Sequence, residues 1–170
     1  NWWFGRPDSN WNTVCAGGLG LLALAMMDDA PEAAWMLERA EASIRPYMEH
    51  LNAIRGGWPE GIGYWGYGMR YAFLYLLSWE RAMGREHPLM KLPGTRRTVD
   101  FPLDFTPHGV PCSFGDVNHY SVHPFHYALA ERFGRPDIVE RLDRMSAAER
   151  LTKSVRQGWP DAVERLLFHP

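Results

Sequence analysis

The chain has 170 residues, enough for one domain with its own core, and 46% hydrophobic with 22% charged residues exclude general disorder. Eighteen basic against twenty acidic side chains leave a formal net charge of −2 with no basic patch. That balance argues against nucleic acid as a partner, while a local cluster of Arg and His can still meet an acidic polymer.

The opening Asn1-Trp2-Trp3-Phe4 has no initiator Met and reads as part of a longer protein. A first helix is expected from Asn12 or Thr13 to about Met27, with Gly17, Gly18 and Gly20 letting another backbone come close. Val14 to Met27 is the most apolar stretch and is too short to cross a bilayer, so it reads as a buried helix. Asp29, with Glu32 three residues on, resembles a capping box for the second helix. Leu37, Ala40, Ile44, Tyr47, Met48 and Leu51 trace one buried stripe of that helix, with Glu38, Glu41, Arg45, Glu49 and Asn52 facing solvent. Pro46 should bend it, and Gly56-Gly57 should end it.

A third helix is predicted from Tyr64 or Tyr67 to Met83, closed by Gly84 as a left-handed cap. Arg85 to Gly115 reads as irregular, with an extended stretch around Val99 to Phe105. Pro124 suits a first helical turn, and the helix it opens should run to Phe133 and stop at Gly134. A short helix over Asp137 to Met145 should follow. Ser146 with Glu149 then caps a further segment holding Leu151 and Val155, and Asp161 opens a last helix to Phe168. The class is all-α, a set of antiparallel helix hairpins side by side.

Cys15 and Cys112 are too few to define a disulfide framework and read as small buried residues. Aromatics make up 14%, which suits core packing and the stacking of sugar faces alike. Two polar, aromatic segments enter glycine-rich helices: Asn10-Trp11-Asn12, and the run from Trp58 to Gly68. Backbone N–H groups and the helix dipole favour an anion at such starts. Taken alone, Asn10 and Asn12 also suit helix caps, and Tyr64 and Tyr67 also suit a core stripe with Tyr71 and Leu74. Glu60 suits a corner cap, and Arg70 a surface ion pair. His119, His123 and His126 have a spacing that hints at a metal, but Pro124 interrupts it and no Cys or carboxylate completes a set, so no metal is expected.

Residues 10–18, Asn-Trp-Asn-Thr-Val-Cys-Ala-Gly-Gly, and residues 60–68, Glu-Gly-Ile-Gly-Tyr-Trp-Gly-Tyr-Gly, resemble the toroid of heparinase II/III-like polysaccharide lyases. Phe114-Gly115-Asp116 and Trp159-Pro160-Asp161 to Pro170 are also similar to that family. The resemblance implies a partial (α/α) toroid, without the C-terminal β-sandwich region of family members. It implies β-elimination on a uronate-containing polysaccharide, with no cofactor, and a periplasmic or secreted location. Such chemistry needs the uronate carboxylate neutralised, a base at C5 and an acid at the leaving O4.

By the same resemblance Asn10 is the carboxylate neutraliser and Tyr67 the acid or acid/base. The base would come from His119 or His123, or from a region beyond this stretch of chain, while Trp11, Asn12, Glu60, Tyr64, Trp65, Arg70 and His123 are the candidates to bind substrate. Trp11 stands where several relatives have His, and Trp58 lies near the place of another His. That departure keeps a non-catalytic glycan-binding toroid in view. A toroidal glycoside hydrolase would need a carboxylate pair, for which Glu60 and Asp116 are the candidates. No motif names the glycan or the oligomeric state.

Overall fold

A computed structural model of the chain describes residues 2–112, 114–116 and 120–152. Among these residues the regular structure is entirely helical. The helices are α1 (Asn10–Ala25), α2 (Glu32–Ala53), α3 (Ile62–Met83), α4 (Pro93–Arg97), α5 (Phe101–Asp104), α6 (Pro124–Arg132) and α7 (Pro136–Thr152), with 3-10 turns at Pro88–Lys91 and Pro107–Gly109. No helix among the described residues is long and apolar enough to cross a membrane. The expected helix from Asp161 to Phe168, Val155, the Trp159-Pro160-Asp161 segment and His119 lie outside the described residues. The chain divides into two compact units: residues up to Trp58 with Tyr67–Thr98, and Pro59–Gly66 with the residues from Val99 onward.

In the first unit, α1 and α2 run antiparallel, because Asn10 meets Tyr47 while Asn12, further along α1, meets Ser43, earlier in α2. The same logic makes α3 antiparallel to α2, since Gly68 lies against Tyr47 and Tyr75 bonds Glu41. Up–down–up packing follows, as for successive helix hairpins. Gly17 makes this possible: a Cβ there would lie 2.6 Å from the Tyr71 carbonyl oxygen. Gly20 faces the Tyr75 ring in the same way, whereas Gly18 faces open space.

The α2 stripe holds at Ala40, Ile44, Tyr47, Met48 and Leu51, all buried, while Leu37 is half-buried. The helix continues through Pro46, and α3 ends at Met83 before Gly84 at φ +63°, the left-handed cap expected. Its start needs correction. Pro31, not Asp29, precedes Glu32 at the N-cap, and no side chain caps the helix. Glu41 and Asn52 also leave the solvent face assigned to them. Glu41 accepts from Tyr75 Oη (2.5 Å) and pairs with His87 Nε2 (2.9 Å); Asn52 Oδ1 accepts from Gly94 N (2.9 Å). His87 Nδ1 accepts from Leu89 N–H, so the ring proton sits on Nε2 and donates to Glu41. Burial opposes ionisation of Glu41, but the His87 and Tyr75 hydrogen bonds outweigh it and hold its carboxyl below the ordinary value.

The stretch read as irregular is ordered by such tertiary bonds. Thr95 Oγ1 donates to Leu89 O and Thr98 Oγ1 to Gly56 O, at 2.9 and 2.7 Å. In the second unit, the expected extended segment at Val99 to Phe105 is instead a helical turn, α5. Phe101 packs there against Phe105, at 5.1 Å between ring centroids. Arg135 holds Asp100 through two nitrogens (2.9 and 2.7 Å) and also Asp137, tying the start of α5 to the start of α7. Pro124 opens α6 as expected, and Gly134 at φ +62° follows its end. The break expected at Ser146 is absent, because α7 runs through it. The Ser146 hydroxyl lies 3.2 Å from Tyr127 Oη, so a partner on α6 satisfies it and no cap is needed.

Candidate functional site

In the first unit, the two sequence motifs meet. Asn10 does not cap α1: Ser9 holds that position, and Asn10 lies within the first turn. Its side chain is buried at 6% exposure, and its Oδ1 accepts from Tyr47 Oη at 3.4 Å. The carboxamide lies directly against the backbone of α3 at Gly68, where a Cβ would stand 2.2 Å from Asn10 Oδ1 and 2.5 Å from Tyr47 Oη. That contact explains why glycine must follow Tyr67.

Tyr67 itself is 42% exposed, with its ring edge-on to Tyr71 at 6.1 Å. Among the described residues its hydroxyl has no hydrogen-bond partner. The alternative of Tyr64 and Tyr67 as core aromatics is therefore overturned for Tyr67. Within this unit the buried stripe of α3 runs through Met69, Ala72, Phe73, Leu76 and Trp79, a register that leaves the Tyr67 hydroxyl in water. Trp11 is 53% exposed and Arg70 is half-buried.

Asn12 needs a correction, because it is fully buried and cannot reach a substrate. Its Nδ2 donates to Arg6 O (2.7 Å) and Ser43 O (2.8 Å), and its Oδ1 accepts from Ser43 Oγ (2.6 Å). This amide ties the N-terminal segment and α2 to α1. Asn12→Ala leaves those groups without partners and is expected to cost about 1–3 kcal/mol. Urea unfolding checks this, and an unchanged midpoint would show that the network contributes nothing.

In the second unit, Glu60 and Tyr64 are half-buried. The Glu60 carbonyl accepts from Asp116 N at 3.2 Å, and a Cβ on Gly115 would lie 2.3 Å from that same oxygen. The Gly-Asp pair and the corner before α3, two pieces of the family resemblance, are thus brought together. Trp65, expected to bind substrate, is corrected to core. It is fully buried against Phe101, Tyr120, Phe125 and His126, with no face left for a sugar. His123 is half-buried, stacks on Phe125, and lies close to Gly66, where a Cβ would stand 3.1 Å from its Nε2.

His126 is fully buried, with both ring nitrogens engaged. Its Nε2 is 2.7 Å from Val99 O, which only accepts, so Nε2 carries the proton and Nδ1 accepts from Tyr120 Oη at 2.5 Å. Burial pushes this imidazole down to about 3. It is therefore not placed to bind a metal, and among the described residues no group of three His, Cys, Asp or Glu is placed to do so.

Sequence reasoning missed two parts of this arrangement. Tyr47 looked like plain core, yet its hydroxyl orients Asn10, and no local signal marks that pairing. Tyr71 sits beside Tyr67 and is half-buried rather than core. The four-residue spacing of the two tyrosines was the available signal. Comparison with family models, with curated proteins and with solved structures finds no match for this chain.

Proposed function

We propose that the chain is part of an (α/α) toroid of a heparinase II/III-like polysaccharide lyase, cleaving a uronate-containing glycan by β-elimination. The observation that carries this reading is the seat of the Asn10 amide on Gly68, the residue that follows the exposed Tyr67 in α3. An amide and a phenol are the two groups that β-elimination asks of the protein besides a base, and here they belong to α1 and to the segment of α3 it packs on. The amide N–H meets the uronate carboxylate and draws charge from C5. The base removes the C5 proton, the C4–O4 bond breaks as C4=C5 forms, and the Tyr67 phenol delivers a proton to O4. Trp11 offers an exposed ring for a neighbouring sugar.

The test is an absorbance assay for the conjugated unsaturated uronate, run on heparan sulfate, alginate and other uronate polymers. Tyr67→Phe keeps the ring and removes the proton, and is expected to lower turnover by about 10²–10⁴-fold. Full activity in Tyr67→Phe would sink the assignment. Binding without any unsaturated product in the parent chain would leave a glycan-binding scaffold in its place.

A further inference from the structure

A second feature of the first unit takes no part in that chemistry. Trp3, Phe4, Ala16, Leu19, Trp35 and Arg39 line a cleft of about 360 Å³, within the size range of small-ligand sites. Three of these six side chains are aromatic, and Trp35 is 56% exposed. Arg39 is the one charged residue among them. Its guanidinium lies over the Trp35 ring, 5.8 Å from the centroid, and pairs with no carboxylate of the described residues.

Flat, exposed indole rings suit the C–H face of a pyranose, and a guanidinium beside them suits an anionic substituent on the same ring. A cation stacked on an aromatic face is held in place while its N–H groups remain available to a carboxylate. We propose that this cleft is a separate binding site for one acidic sugar residue of a longer glycan, with Trp35 as platform and Arg39 as carboxylate partner. The choice of a glycan over another anion rests on the lyase reading. The charge requirement stands on Arg39 alone. Such a site would hold a polymer at a distance from the reacting bond and raise the affinity of long chains over short ones.

The test titrates the 170-residue chain with a uronate hexasaccharide, a neutral hexasaccharide of equal length and a poly-glutamate peptide, by calorimetry. The uronate is expected to bind at least tenfold more tightly than the other two. Trp35→Ala and Arg39→Gln should each weaken it roughly tenfold, since one stacked ring or one charged contact is worth about that much. Both side chains are exposed, so circular dichroism should not change. Failure of the lyase reading shows as no unsaturated product in the absorbance assay, whereas failure of the cleft shows only in the affinities of Trp35→Ala and Arg39→Gln, so the two are told apart. Equal binding of the neutral sugar, tighter binding of the peptide, or unchanged affinity in both variants would overturn the proposal.

Discussion

Gly68→Ala is expected to destabilise the first unit and abolish any activity that depends on Asn10. The added methyl has nowhere to go: it would stand 2.2 Å from Asn10 Oδ1 and 2.5 Å from Tyr47 Oη. Both neighbours are buried, and Asn10 sits on one helix while Tyr47 sits on another. The clash therefore either pushes α1 and α2 off α3 or drives the carboxamide out of its seat. Overpacking of this kind costs about 1–3 kcal/mol. Gly18→Ala is the control. It lies on α1 with nothing within 4 Å of its Cβ, so the same change should raise stability by about 0.5–1 kcal/mol through helix propensity. Thermal unfolding of the two variants decides the matter. If both shift the midpoint in one direction, the seat at Gly68 is not as tight as the geometry says. Substrate binding by Gly68→Ala then shows whether the displaced amide matters to function as well as to packing.

How much of this was legible in the sequence depends on where each cause lies. The α2 stripe was readable because apolar and charged residues alternate with the helical period, and burial follows that period. For α3 the period was equally clear but its phase was not. Two stripes share the same spacing, one through Tyr67 and Tyr71 and one through Met69, Phe73 and Leu76. What selects between them is the hydroxyl on each tyrosine, which needs water or a partner, and partners are a tertiary fact. Trp65 shows the opposite error: an aromatic in a family-like motif drew a ligand role, while its ring fills the core of the second unit.

The stretch from Arg85 onward was misjudged for a related reason. Its short helices carry weak local signals, and Thr98 on Gly56, Gly94 on Asn52 and Arg135 on Asp100 hold them in place. Each partner is at least 35 residues away in the chain, beyond the reach of any window. The candidate site was half legible. Asn10, Tyr67 and the following glycine could be nominated from motif alone, but the reason for the glycine, a carboxamide from another helix, could not.

The second unit is expected to lose stability as pH falls below 6.5, and His126 is the cause. In the unfolded chain an imidazole takes up a proton near pH 6.5. In the folded unit burial holds His126 neutral down to about 3, even though the Val99 carbonyl favours the protonated form. Between those values the unfolded state binds one more proton than the folded state, so stability falls with falling pH at about 1.4 kcal/mol per unit. From pH 6.5 to 4.5 this amounts to about 2–3 kcal/mol. The geometry explains why the ring resists protonation. Nδ1 is the acceptor for Tyr120 Oη, so a proton there would have to displace that hydrogen bond inside a packed core. His126→Gln offers one donor for Val99 and one acceptor for Tyr120 but cannot titrate. It should be less stable at pH 7.5, because an amide fills the ring's space poorly, and its loss on acidification should be flatter by the same 1.4 kcal/mol per unit, approximately. Urea midpoints for both proteins at pH 7.5, 6.0, 5.0 and 4.5 measure the difference directly, and the other histidines cancel in the comparison. Parallel curves would mean that His126 takes up its proton without unfolding, and that the Tyr120 and Val99 contacts do not fix its charge.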